Sequence, residues 1–269
     1  MQSEALNLTV DPIERRIGIV AKDLGNCQEH GDFVAIRSRN SETLSGCPKC
    51  AEAAQRLKDA EEQKALMAKI AADRLANKLG AALIPSRFRD RSFEGYKATE
   101  PKQIKALTIC REYAENFAEH FEAGRCLLLL GNVGTGKTHL AAAIANHIMR
   151  TSNATAVYRT VGGILQHIKG SYDRESGYSE ADAFAAYTKP SLLIIDEVGA
   201  TKPTEFELAT LFAIINGRYE EQLPTVVISN LPAGELSGAL GERCVDRLRE
   251  GGGIAVGFDW VSARAKVKA

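Results

Sequence analysis

The chain has 269 residues, 45% hydrophobic and 25% charged, enough to bury one substantial core and carry a small appended module. Lys plus Arg (34) balance Asp plus Glu (34), which argues against a dedicated polycationic DNA coat and leaves any nucleic-acid contact to a local patch or to assembly. The first residues show no basic segment followed by an apolar run, and the longest apolar runs are strand length, so no leader or membrane span is expected and the chain is placed in the cytoplasm.

Half of the six cysteines fall within residues 26–50. Disulfides are disfavoured in a reducing compartment. Cys27, His30, Cys47 and Cys50 instead form C-x-x-H and C-x-x-C pairs spaced to clasp one tetrahedral zinc ion, with Gly46, Pro48 and Lys49 suited to a tight turn between thiolates. The alternative is that they are ordinary small residues in a flexible arm. A knuckle of this size has almost no core, so the metal would largely hold it together. Cys110, Cys126 and Cys244 stand apart and are expected to pack as small apolar groups. The stretch "AEAAQRLKDAEEQKALMAKIAADRLANKL" contains neither Gly nor Pro and spaces Leu57, Ala60, Leu66, Ile70 and Leu75 helically, predicting a long helix that Gly80 and Pro85 end. Its mixed charge reads as a solvated face, with a coiled contact to a partner as the other option. In "IPSRFRDRSFEGY" (84–96), basic and aromatic residues alternate: the expectation is a strap packing Phe88, Phe93 and Tyr96 onto the next domain, the alternative a nucleic-acid contact.

From residue 101 helices and strands alternate. Ile104, Leu107, Cys110, Tyr113, Phe117 and Phe121 suggest one helix face, closed by Gly124. "RCLLLLGNVGTGKTHLAAAIANHIM" then reads as apolar strand, glycine loop and alanine-rich helix, the context that turns a G-x-x-x-x-G-K-T match into a nucleotide site. Its loop runs from Gly131 through Asn132, Val133, Gly134, Thr135 and Gly136 to Lys137, Thr138 and His139. The glycines let backbone N–H groups approach phosphate, Lys137 reaches the outer phosphates, and the Thr138 hydroxyl can ligate magnesium. "SLLIIDEVGA" (191–200) puts Asp196 and Glu197 at the end of a buried strand, where Asp196 can hold magnesium and Glu197 can polarise an attacking water. "PTVVISN" is a third strand whose terminal Asn230 either senses a terminal phosphate or makes a turn. Beyond it, Arg243 and Arg247 lie four residues apart on a short helix, solvated or reaching phosphate, before a strand at 254–258.

The motifs "GNVGTGKTHLAAAIA", "LLIIDEVG", "TVVISN" and "GERCVDRLR", with "IPSRFRDRSFEGY" ahead and "FDWVSARAKV" behind, resemble the DnaC-type bacterial helicase loaders of the AAA+ superfamily and the closely related IstB-like transposition ATPases, over residues 84–269. The resemblance implies an α/β, three-layer αβα domain with a parallel five-stranded sheet, here lacking a full helical lid. It also implies a division into an N-terminal partner-binding module (1–50), a linker helix (51–83) and an ATPase domain (84–269). By resemblance, Lys137 and Thr138 bind ATP and Mg2+, Asp196 and Glu197 are the metal and water acids, and Asn230 is the first sensor. Arg247 is the arginine finger acting on a neighbouring subunit, with Arg243 beside it, and Arg264 falls at the second sensor. The implied function is ATP-dependent loading of a hexameric replicative helicase onto single-stranded DNA by a self-assembling oligomer, with Arg159, Lys169 and Arg174 candidates for the DNA contact. Three other readings are a transposition-accessory ATPase, a small-molecule kinase, and an adaptor that uses ATP only as a switch.

Overall fold

Asp11 starts the described chain's first helix, α1 (Pro12–Arg16), by accepting from the N–H groups of Ile13 and Glu14 at 2.8 Å, while Glu14 accepts from Asp11 N–H at 3.0 Å. In this computed structural model residues 8–262 are described, so Arg264 lies outside them. Lys22, 2.6 Å from Glu14, ties α1 to strand β1 (Ile19–Cys27), which pairs antiparallel with β2 (Gly31–Ser38). Gly25 must lack a side chain because the Phe33 ring occupies that space, 2.6 Å from where a Cβ would sit. The hairpin is not legible in the cysteine spacing: its burial scarcely alternates, and within 8–50 only Ala35 and Cys47 are buried.

The long helix α2 spans Pro48–Ala81, starting earlier than the sequence suggests. Pro48 is tolerated there because the first helical N–H has no partner in any case. None of its residues is buried. The chain divides inside this helix into two compact units, one ending at Ala72 and the other beginning at Asp73.

In the second unit, Ala82 is fully buried and its carbonyl accepts from Tyr158 N–H at 2.8 Å. The strap then packs as its aromatics predict: Phe93 is buried and Phe88 and Tyr96 lie against the same core, with a 3-10 turn at Ser86–Phe88. The helix expected to run unbroken to Gly124 is two, α3 (Pro101–Glu115) and α4 (Phe117–Glu122). Asn116 interrupts it, its side-chain amide donating to the Glu112 carbonyl at 3.0 Å and competing with the helical ladder. The buried face is Gln103, Ala106, Cys110, Tyr113 and Ala114, and Ile104 and Phe121 are exposed, contrary to the expected stripe.

Five parallel strands follow: β3 (Leu127–Gly131), β4 (Ala156–Thr160), β5 (Leu192–Val198), β6 (Thr225–Ser229) and β7 (Ile254–Phe258), in the order β4-β5-β6-β3-β7. β6 therefore separates the two strands bearing the glycine loop and the acid pair. Successive side chains point to opposite faces. Leu127, Leu129, Leu192, Ile194, Val226 and Ile228 join a core with α3 and α5 (Lys137–Thr151), whereas Leu128, Leu130, Leu193, Ile195 and Val227 join a second. The second core lies under α6 (Val161–Gly170), α7 (Glu180–Thr188), α8 (Glu205–Glu220), α9 (Leu236–Leu240) and α10 (Glu242–Arg249). This gives a three-layer αβα architecture around a five-stranded parallel sheet. No helix among the described residues is long and apolar enough to cross a membrane.

Candidate functional site

The glycine loop is shaped by close approach on both flanks. Gly131 has φ 121°, and a Cβ there would come 2.5 Å from the Phe258 carbonyl; Gly136 has φ 96°, and its Cβ would strike the Tyr96 ring at 2.5 Å. The loop is braced from outside: Tyr96 OH and Trp260 Nε1 both donate to the Thr135 carbonyl (2.9 and 3.3 Å), and Asn132 donates to the Trp260 carbonyl at 3.3 Å. Gly131, Asn132 and Thr135 thus build the loop without lining its cavity, and the others face inward. Val133, Gly134, Gly136, Lys137, Thr138, His139, Asp196, Glu197 and Asn230 surround a cavity of about 350 Å³ at the carboxyl ends of the strands.

Inside it, Lys137 Nζ folds back to donate to the carbonyls of Gly131 and Asn132, each at 2.6 Å, and burial pushes its pKa down to about 8 against the opposing pull of Asp196. Asp196 is buried and its carboxylate is saturated with donors: Thr138 Oγ1 at 2.9 Å and Tyr158 OH at 2.5 Å on one oxygen, Glu197 N–H at 2.6 Å on the other. Burial first, and then Asp196, raise the pKa of Tyr158, so it stays a donor. Adjacent strand residues should face opposite sides, yet both acids line the cavity. A bulge resolves this: between Ile195 and Val198 the pairing with β6 shifts register, Glu197 takes φ 63°, and Ser229 Oγ closes the kink by donating to Val198 O at 2.7 Å. Left-handed backbone at a glutamate is strained and re-aims its side chain.

Sequence reasoning missed Tyr158, Arg87, Phe88 and Arg91. The first reaches Asp196 only because β4 pairs with β5, and the other three line the cavity from the strap. A neighbouring hollow shares Gly136 and His139 and is walled by Tyr96, Gln103 and Trp260. The two arginines of α10 are elsewhere. Arg243 is exposed, and Arg247 lies over the Tyr219 ring at 4.1 Å and 3.7 Å from Glu250, beside Cys126 and Thr225 at the starts of β3 and β6.

In the first unit, the hairpin loop and the start of α2 bring Cys27, His30, Cys47 and Cys50 together, with all four ligand atoms within 4.8 Å of one another. Around zinc, bond lengths of about 2.3 Å to sulfur and about 2.05 Å to nitrogen set tetrahedral edges of about 3.8 Å (S to S) and about 3.6 Å (S to N). The observed separations are 3.5 Å for Cys27 Sγ to Cys50 Sγ and 3.7, 3.2 and 3.8 Å from His30 Nδ1 to Cys27, Cys50 and Cys47. The residues fit a closed Cys3His site. The backbone N–H of Glu29 and then the His30 side chain lower the Cys27 thiol to about 6, and Cys27 in turn raises Cys50 to about 12; a dication at the centre would relieve that conflict.

A parallel sheet with a phosphate-type loop, an acid pair on a bulged strand and a polar residue on the intervening strand defines a P-loop ATP-binding protein with an AAA+ fold. The chain belongs to the family described as IstB-like ATP binding protein, whose profile matches residues 55–248. It is 31% identical to the replicative helicase loader DnaC of Buchnera aphidicola (subsp. Schizaphis graminum) over 71% of this chain and 76% of that protein, and 34% identical to the Escherichia coli K12 protein of the same name over 65% and 70%. The crystal structure of the DnaC helicase loader superposes on 65% of this chain and all of that one, with TM-score 0.59 at 21% identity.

Proposed function

We propose that the protein is an ATP-dependent loader of a hexameric replicative helicase onto single-stranded DNA, working in the cytoplasm. The observation that carries the reading is its similarity to the helicase loader DnaC over about three quarters of that protein's length. The cavity supports the ATPase part. Backbone N–H groups at the start of α5 face the phosphates, and Lys137 exchanges its two carbonyl partners for phosphate oxygens. The magnesium that accompanies ATP would supply neutralisation of the phosphate charge. Thr138 and Asp196 would hold that metal, Glu197 would polarise the attacking water, and Asn230 would sense the terminal phosphate. Arg247, with Arg243 beside it, completes the site of a neighbouring subunit. Zinc on Cys27, His30, Cys47 and Cys50 is structural and stiffens a module that, with α2, presents the helicase-binding surface.

The test is light scattering after gel filtration of the protein mixed with the replicative helicase of its own host, with and without ATP and single-stranded DNA. A complex that disappears on removal of residues 1–80, or on Ser substitution of the metal ligands, supports the loader. No complex under any condition overturns it and favours a second reading, a transposition-accessory ATPase, for which the IstB-like family match speaks; that protein would require a transposase instead.

A further inference from the structure

The strap places two arginines at the nucleotide cavity that neither the glycine loop nor the acid pair accounts for. Arg87 and Arg91 line the cavity with Lys137, Asp196, Glu197 and Asn230. Both are exposed, and neither forms an ion pair among the described residues. The backbone beneath them is fixed to the same helix that presents Lys137 and Thr138. Asn146 of α5 donates to the carbonyls of Arg89 and Arg91 at 3.0 and 2.8 Å, and His139 Nε2 donates to the Ser92 carbonyl at 2.9 Å. Phe88, between the two arginines, is anchored on the core. Arg87 lies over the Phe88 ring at 5.9 Å and neither guanidinium is held by an acid among the described residues, while the backbone that carries them is anchored beside the loop. The lining then holds two permanently charged guanidinium side chains, Arg87 and Arg91, and the Lys137 amine, charged at neutral pH, against the two acids Asp196 and Glu197. An excess of fixed positive charge is suited to an anion more highly charged than a diphosphate.

We propose that Arg87 and Arg91 bind the outer phosphates of the nucleotide from within the same chain, so that the strap distinguishes a nucleoside triphosphate from a diphosphate before any subunit assembles. The inference rests on the nucleotide-site reading above. A guanidinium presents a planar fork of donors matched to two phosphate oxygens, which a lysine cannot reproduce. Arg247, at the other end of the sheet, cannot supply this contact to its own site.

The experiment is equilibrium binding of ATP and of ADP to the full chain, at concentrations where light scattering shows monomer, for wild type, R87A, R91A, the double variant, the two Lys variants and K137A as a control. The arginines are exposed, so melting temperatures should match wild type. The double variant should lose about tenfold or more in ATP affinity and much less for ADP, as expected for charge-assisted bonds to the terminal phosphate, and the Lys variants should recover only part of it. The proposal is overturned if the double variant binds ATP as wild type does, or if ATP and ADP weaken in parallel. It is equally overturned if nucleotide affinity holds while single-stranded DNA affinity falls, which would turn the strap toward nucleic acid. A wild-type chain that binds no nucleotide, or binds it no better than K137A, would sink the underlying site reading instead.

Discussion

Asp196 accepts three hydrogen bonds, and only one of them can change hands during turnover. When Thr138 leaves for the metal, Tyr158 and the Glu197 N–H still hold the carboxylate in place. Tyr158→Phe removes the phenolic donor and keeps the ring that packs in the core. The variant should fold, bind ATP without magnesium as before, and need about tenfold more Mg2+ for half-maximal metal-dependent binding, the scale of one charge-assisted hydrogen bond. An unchanged Mg2+ titration alongside a lowered melting temperature would reduce Tyr158 to a packing role. Lys137 offers a second test. Burial lowers its pKa to about 8 in the free protein, so above that pH most Lys137 side chains are uncharged. A bound triphosphate favours the ammonium form, so nucleotide binding near pH 8.5 should take up protons, and below about pH 7 it should not. Calorimetric binding enthalpies in buffers of differing ionisation heat report this directly, and no buffer dependence at pH 8.5 would refute it. The loop and acid pair were legible because each is contiguous in sequence. Tyr158 was not, because its contact with Asp196 depends on which strand neighbours which.

At the scale of elements, the sequence reads best where one physical rule acts alone. The β3, β5 and β6 segments are built around continuous apolar runs, as buried parallel strands require, and were recognisable, as was the half-exposed edge strand β7. The α3 stripe misled in part because Asn116 splits the helix and because Gln103 and the small residues Ala106 and Ala114 share its buried side with the expected Cys110 and Tyr113. The β1–β2 hairpin was hidden because it has almost no buried apolar face; under the proposed zinc site, Cys27, His30, Cys47 and Cys50 hold it instead. It follows that chelating the metal, or Cys50→Ser, should unfold the hairpin while the unit beginning at Asp73 keeps its melting transition. A structural zinc contributes on the order of 10 kcal/mol, more than so coreless a module can replace. A hairpin that persists in a metal-free sample would exclude that role. Arg218 of α8 is the opposite case, a charge fully buried without an acid. Its guanidinium donates to Thr225 Oγ1 (3.0 Å) and to the carbonyls of Tyr187 (2.9 Å), Pro190 (2.8 Å) and Pro224 (2.6 Å), tying the segments that lead into β5 and β6. Arg218→Met strips the guanidinium from these acceptors, leaving among the described residues only Leu193 N–H (3.5 Å) on the Pro224 carbonyl, and should cost roughly 3 kcal/mol or more in chemical denaturation. A loss under about 1 kcal/mol would mean water replaces the guanidinium.

For the whole molecule, the position of Arg247 bears on whether one chain suffices. It sits with Tyr219 and Glu250 beside the starts of β3 and β6, whereas Lys137, Asp196 and Glu197 lie at the strands' carboxyl ends. In a parallel sheet those are opposite ends, so the side chain cannot reach its own nucleotide without dismantling α10. Any catalytic use must therefore be on a second copy, and hydrolysis per chain should rise with concentration until assembly saturates. No pattern in a single sequence encodes that geometry, which follows from helix placement around the sheet. Mixing decides it. Arg247→Ala retains an intact nucleotide site but offers no arginine, and Lys137→Ala offers the arginine but has a damaged site. Each alone should be at least about a hundredfold slower than wild type, since an arginine acting in trans is worth several kcal/mol of barrier. Combined, they should regain a substantial part of the rate, because half of the mixed contacts pair a good site with a good arginine. If the mixture is no faster than its components while light scattering shows that the two variants co-assemble, Arg247 does not act across subunits, and its contacts with Tyr219 and Glu250 are its whole role.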